Sequence, residues 1–369
     1  MKSKLAALFC TIAGFTTVGL SVGGAGCGAN KTEIVITSPK GEVVPYVEQA
    51  QRYLLQVAGD NVAFYCDGTG SLPNPQVPIV VEWTSLPNAA YYRVEYATNP
   101  DFENALMETA QLQTRVELYN LYKGAEYYLR VTAYNKKGKT LSVANGTFST
   151  TDLGPRVMNI DGIHNVRDVG GYPTLSGKRT VQGLLYRGGT LTNADVYESN
   201  LTPEGMAYMR DVMGIKTDAD LRGVQEAKNE QSPIPDAKLY NFGLNGYADM
   251  LIPKVKEVFS VLADKDNYPI YVHCTGGADR TGTIVFLINA LLGVDEKSLI
   301  QDYEFTSFSL YAMRNSKQGP YAKMFQEFLQ TVKSFDGETL QEQTKNCLLS
   351  LGVTAEEIES IQAIMFGEK

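Results

Sequence analysis

Eleven residues constrain this chain more than any others: Val272-His273-Cys274-Thr275-Gly276-Gly277-Ala278-Asp279-Arg280-Thr281-Gly282. An apolar run from Tyr268 to Val272 leads in, and a second, Thr283 to Leu292, leads out and reads as a buried helix. A strand that enters a glycine-containing loop and leaves as a helix aims backbone N–H groups and a positive helix end at one spot. A cysteine at the loop's start and an arginine six residues later make that spot an anion site with a nucleophile beneath it.

Hydrolysis of a phosphate monoester needs a nucleophile ionised near neutral pH and a cradle for three charged oxygens. Thiols beside an arginine and at a helix N-terminus ionise more readily than free ones. The amides from Thr275 through Gly276, Gly277, Ala278 and Asp279 to Arg280 can ring a phosphate, and Arg280 adds a planar fork that lysine cannot copy. Gly277 and Gly282 permit positive φ and close backbone approach. Thr281 can donate its hydroxyl to the sulfur and ease thiolate departure, while His273 orients the loop through backbone hydrogen bonds. The chemistry expected is phosphate-ester hydrolysis on Cys274.

The remaining composition narrows the field. A length of 369 residues allows two or three domains, each with its own core. The net charge of −8, without a basic tail or stripe, argues against a nucleic-acid partner. There are two histidines, His164 and His273, and no Cys/His cluster at ligand spacing, so the sequence requires neither a metal nor an organic cofactor. Cys66 and Cys347 read as core thiols.

Lys2 and Lys4, the uncharged apolar run Leu5 to Leu20 and a string of small residues make residues 1–26 a secretory signal peptide. Ala25-Gly26-Cys27 resembles a bacterial lipobox, which implies lipidation of Cys27 and a membrane anchor. Gly24 departs from that pattern's usual leucine, and ordinary cleavage with soluble export is the alternative.

Residues 27–75 read as a spacer with little clear structure, ending in the turn-rich stretch Asp67 to Pro75. From 76 to 150, short β-rich runs (Ile79–Trp83, Tyr91–Tyr96, Thr114–Leu118, Glu126–Tyr134, Leu141–Phe148) alternate with turns, which predicts an antiparallel sandwich. Trp83, the strand Tyr92–Tyr96, and Leu121 with Tyr127 at tyrosine-corner spacing resemble a fibronectin type III domain. That likeness implies spacing or a surface partner rather than catalysis. After the linker 150–155, residues 156–369 alternate strand and helix patterns, predicting an α/β domain with a central sheet flanked by helices.

His273-Cys274, Arg280-Thr281-Gly282 and their flanks resemble the cysteine-based protein tyrosine phosphatases, and more narrowly the bacterial tyrosine/serine phosphatase family. Further matches are Asn165 to Tyr172, Leu185 to Gly189, Asp220-Leu221-Arg222, Asp302-Tyr303 and Leu351 to Thr354. The resemblance implies the α/β cysteine-phosphatase fold, a phosphocysteine intermediate and a phosphorylated protein or peptide as substrate. Inositol phosphates or phosphoinositides are the alternative. Many relatives carry lysine where this chain has Ala278; that lysine goes with phosphoinositide activity, so Ala278 tilts against lipid phosphates. A surface-binding module with vestigial catalysis is a third reading, which the intact Cys274, Arg280 and Thr281 oppose.

The general acid stays open. Chain order in related dual-specificity phosphatases points to Asp249, Asp220 sits at a strand's C-terminal end, and Asp279 lies in the loop itself, where it could act directly or orient Arg280. Asn165, Arg167 and Asp168 read as a structural turn near the site, and Arg187 as an anchor.

Overall fold

The computed structural model describes residues 33–66, 74–193, 199–223, 226, 230–244, 251–309 and 313–368. Alternating apolar residues build the first domain. Its strands are β1 (Ile36–Ser38) and β2 (Glu42–Val43), then, after helix α1 (Glu48–Leu54), β3 (Ile79–Trp83), β4 (Tyr91–Ala97), β5 (Leu106–Ala110), β6 (Arg115–Leu118), β7 (Glu126–Tyr134) and β8 (Thr140–Thr150). They form two sheets, ordered β1-β3-β6 and β2-β8-β7-β4-β5. The inward residues Val81, Trp83, Val94, Leu118, Leu129 and Val131 fill the space between them. The Tyr127 hydroxyl accepts the Tyr122 N–H at 2.7 Å, the tie expected of a tyrosine corner. Strand β5 carries no alternation, since four of its five residues are exposed on a sheet edge.

The stretch read as a spacer is built structure over 33–66. Strand β1 pairs with β3, β2 pairs with β8, and α1 buries Ala50, Tyr53 and Leu54. These apolar groups are too few for a core of their own. They bury instead against Phe305 and Phe308, some 250 residues away in sequence. The helical periodicity over Val47 to Val57 is visible in the sequence, but a partner that remote is not.

The second domain opens with β9 (Arg156–Val157), β10 (Arg167–Asp168), β11 (Leu185–Gly188) and the small hairpin β12 (Thr192–Asn193) and β13 (Ser199–Asn200). It continues with α2 (Pro203–Asp211), β14 (Thr217–Asp220), β15 (Lys238–Asn241), α3 (Val255–Leu262), β16 (Ile270–His273) and α4 (Arg280–Leu291). The closing helices are α5 (Glu296–Glu304), α6 (Pro320–Lys333), α7 (Leu340–Ser350) and α8 (Ala355–Met365). The sheet order is β15-β14-β16-β11-β10-β9, with the first four strands parallel and the last two antiparallel at the edge. Strand β16 is buried along its whole length, as a central parallel strand must be. Helix α4 is apolar and buried nearly all round, so it belongs in the interior, where α5 and α7 cover it. On the other sheet face, Met209 and Met213 pack near Tyr186 and Tyr271.

The two domains meet in a polar seam. Arg156 donates to the Leu121 and Asn120 carbonyls and pairs with Asp168, and Gln182 exchanges two hydrogen bonds with the backbone of Lys123.

Candidate active site

Strands β11, β14 and β16 end side by side, with Gly188 and Asp220 both in register with His273. Cys274 follows at that edge, 3% exposed, and the chain loops through Thr275–Asp279 before Arg280 opens α4. The loop's curvature is held from behind. Asn165 Nδ2 donates to the Gly276 carbonyl at 3.0 Å, and Arg187 Nη2 to the Gly277 carbonyl at 2.6 Å. With those carbonyls pinned outward, the N–H groups are left for the concave side, where an anion would sit. Gly277 has φ +64°, and a Cβ there would lie 2.2 Å from the Gly188 carbonyl oxygen. Gly282 is helical instead. Its missing side chain admits Tyr303 and Arg187, at 3.3 and 3.4 Å from where a Cβ would stand.

Asn165 and Arg187 are themselves braced. Arg167 donates to Asn165 Oδ1, and Arg167 and Arg187 share the carboxylate of Asp302 on α5. Burial opposes its charge, yet the two guanidiniums hold Asp302 below the usual carboxylate range. Asn165 and Arg187 therefore support the loop directly and Arg167 through Asn165; Asp168 faces Arg156 and the Gly170 and Gly183 N–H groups.

Arg280 lies with its fork on Glu226: Nη1 to Oε2 at 2.5 Å and Nη2 to Oε1 at 3.1 Å. Its Nη1 also donates to the Leu244 carbonyl and its Nη2 to the Thr275 hydroxyl, which in turn donates to Glu226. This contact draws the Glu226 carboxyl down to about 2. Sequence reasoning passed over Glu226, although its place just after Asp220-Leu221-Arg222, past a strand's C-terminal end, was a usable signal. The carboxylate occupies the N–H groups that an incoming phosphate needs. We expect Glu226→Gln to tighten competitive inhibition by inorganic phosphate about threefold to tenfold, the size of one half-exposed charge contact. Unchanged inhibition with a lower kcat would mean that Glu226 only orients Arg280.

The Thr281 hydroxyl is fully buried and has no hydrogen-bond partner among the described residues. Ala278 is buried at 2% exposure.

Among the candidate acids, Asp220 is 1% exposed and takes a forked pair from Arg222, Nε at 2.9 Å and Nη2 at 2.6 Å. Burial would raise its carboxyl, but His273 and Arg222 hold it below the ordinary range. The Arg222 fork thus takes both Asp220 oxygens and favours the ionised carboxylate. Asp279 gives its two oxygens to Arg314 at 2.6 and 2.9 Å, and Arg314 stacks on Tyr321. Asp279 thus pairs across to the α5–α6 connection. Asp249 lies outside the described residues.

His273 is buried between Asp218 (Nε2 to Oδ1, 2.9 Å) and the Cys274 carbonyl (Nδ1, 3.3 Å). Both ring nitrogens face acceptors, which suits the imidazolium. Burial disfavours that charge, but Asp220 and Asp218 outweigh it and raise the group to about 9. A folded value above the unfolded one near 6.5 gives stability that is full below about pH 6.5 and lost as pH rises through about 9. The unfolding free-energy gap between wild type and His273→Asn should therefore narrow by on the order of 3 kcal/mol across that window. A gap constant with pH in urea melts would refute the charged assignment.

A family model described as the tyrosine phosphatase family matches residues 158–365. The chain belongs to that family. A fibronectin type III model matches residues 73–146, so the order is sandwich, then tyrosine phosphatase domain. Inositol diphosphatase DSP3 of Arabidopsis thaliana is 29% identical over 118 residues, covering 31% of this chain and 50% of that protein. A Cupriavidus necator protein, provisionally named a tyrosine-protein phosphatase, is 27% identical over 165 residues, covering 39% of this chain and 60% of that protein. The chain thus spans half to three-fifths of the length of these relatives. The core catalytic domain of the yeast PP-IP phosphatase SIW14, solved with citrate, aligns over 44% of this chain and 89% of that chain, at 16% identity and TM-score 0.30.

Proposed function

We propose that this chain is an exported phosphatase that hydrolyses phosphotyrosine in protein or peptide substrates through a phosphocysteine on Cys274. The observation that carries the reading is Cys274 at the mouth of a loop whose Gly276 and Gly277 carbonyls are tied outward, with Arg280 and the unpartnered Thr281 hydroxyl opening the helix that follows. In the first step the Cys274 thiolate attacks phosphorus, the P–O ester bond breaks, and the leaving oxygen takes a proton. Asp249 is the proposed donor, since Asp220 and Asp279 are each engaged by a guanidinium. In the second step water attacks phosphorus and passes a proton to the Asp249 carboxylate left by the first, the S–P bond breaks with the electron pair returning to sulfur, and inorganic phosphate leaves. Thr281 eases that departure by donating to the sulfur.

A second reading keeps the same steps and takes inositol phosphates or diphosphates. Relatives named inositol diphosphatases favour it; Ala278 favours the first. The deciding measurement is phosphate release from phosphotyrosine peptides, phosphoserine peptides and inositol phosphates and diphosphates, without added metal. A kcat/KM highest on phosphotyrosine supports the proposal, and one highest on inositol compounds replaces it with the second reading.

The N-terminal 27 residues support export with a lipid anchor on Cys27, which places the sandwich where it could meet a surface partner. Among the described residues no helix is long and apolar enough to cross a membrane. Recovery of the expressed chain solely in the soluble fraction would refute the anchor.

A further inference from the structure

The brace behind the loop extends beyond the phosphatase domain. Asp302, which fixes Arg187 and through it the Gly277 carbonyl, also faces the Tyr172 hydroxyl at 3.5 Å. The Tyr172 ring lies under Lys123 of the sandwich, whose Nζ stands 4.6 Å from the ring centroid and donates to the Gly154 carbonyl. Lys123 is 6% exposed, so this cation–π contact is desolvated and stronger than a surface one. Lys123, Tyr172 and Asp302 line one interdomain cavity of about 190 Å³.

From the other side, Tyr53 on α1 donates its hydroxyl to Glu304 at 2.6 Å, both residues being at most 1% exposed. Glu304 ends the helix that carries Asp302, and its second oxygen accepts the Ser316 N–H. Tyr53 also packs on Phe308, and Tyr46, just before α1, on Phe305, so this segment clamps the chain that leaves α5. A carboxylate that must hold two buried guanidiniums tolerates little displacement, because a lost contact leaves buried charge uncompensated.

We infer that Tyr53 and Lys123 are positioning residues of the phosphate loop, acting on Asp302 and Arg187 through α5 and Tyr172. The N-terminal half is then part of the catalytic unit as well as a tether. The inference rests on the reading of the Cys274 loop as catalytic.

The test uses the full chain and p-nitrophenyl phosphate, assayed well below each variant's melting temperature. Tyr53→Phe removes one hydroxyl, and Lys123→Met removes one charge. Each is expected to lower kcat about tenfold to a hundredfold, the cost of an ångström-scale misplacement, with KM changed far less. Lys123→Arg should recover most of the loss. Arg115→Ala, which breaks only an exposed pair with Glu117 on the sandwich, is the control and should stay within about twofold of wild type. A purely structural role would lower the melting temperature and leave kcat per folded molecule unchanged. A kcat within twofold of wild type for folded Tyr53→Phe overturns the inference, whether or not Lys123→Met folds. Absence of turnover in the wild-type chain would instead overturn the functional reading on which it rests.

Discussion

Cys274→Ser is expected to lose phosphate release from p-nitrophenyl phosphate by roughly 10,000-fold or more, the scale seen when a covalent nucleophile is removed. A serine hydroxyl stays protonated at neutral pH, and His273 is not placed to take its proton, since both ring nitrogens face acceptors, Asp218 and the Cys274 carbonyl. The cradle itself is untouched by the change. Arg187 and Asn165 still hold the loop carbonyls, and Arg280 keeps its charge. Inorganic phosphate and unhydrolysed substrate should therefore bind the variant within a fewfold of wild type. Turnover by Cys274→Ser near the wild-type rate would eliminate the phosphocysteine mechanism. Loss of phosphate binding as well would mean that the substitution had collapsed the loop.

Gly277→Ala should be the most damaging single change in the loop that leaves every functional side chain in place. Its Cβ would stand 2.2 Å from the Gly188 oxygen and 2.3 Å from the Gly188 carbon, both backbone atoms of a buried strand. Neither can give way as a side chain could, so the loop must move by an ångström or so. That is enough to cost about a hundredfold in kcat. The φ of +64° adds about 1–2 kcal/mol of strain on its own. The molecule contains the control for that second effect. Gly214 has the same φ, with nothing within 4 Å of where a Cβ would stand. Gly214→Ala should cost about 1 kcal/mol in urea melts and leave kcat unchanged. Equal kcat losses in the two variants would show that backbone strain, not the clash with Gly188, governs the loop.

What could be read from the sequence was whatever is written locally. The strand–loop–helix around Cys274, the alternating runs of the sandwich and the apolar α4 each carry their own period or turn chemistry, and each forms at the expected place. Contacts between remote stretches left no such trace. Helix α1 reads as a weak amphipathic fragment because its core partners are Phe305 and Phe308. The exposed edge strand β5 has no buried face to alternate against. Arg187 was recognisable as an anchor, but its partner Asp302 lies 115 residues away, and Arg314 reaches Asp279 across 35. Charges that pair across such distances look in sequence like any surface charges. Asp220 is a local case: its place at a strand end and Arg222 two residues on were both visible, and the fork between them was not.

The hydrogen bond between Tyr53 and Glu304 spans 251 residues. On a ribosome, Tyr53 emerges long before the residue that completes its burial, and at about 5–20 residues per second the wait is on the order of tens of seconds. The sandwich has its strands and turns in hand early and can close by itself, but α1 has no core to join until α5 has been made. Its apolar side chains are therefore exposed throughout most of synthesis, a target for holdase chaperones and a late, high-contact-order step in folding. Catalytic competence should consequently appear only when nearly the entire chain has been released, and truncations before α5 should leave the early segment unprotected against proteolysis.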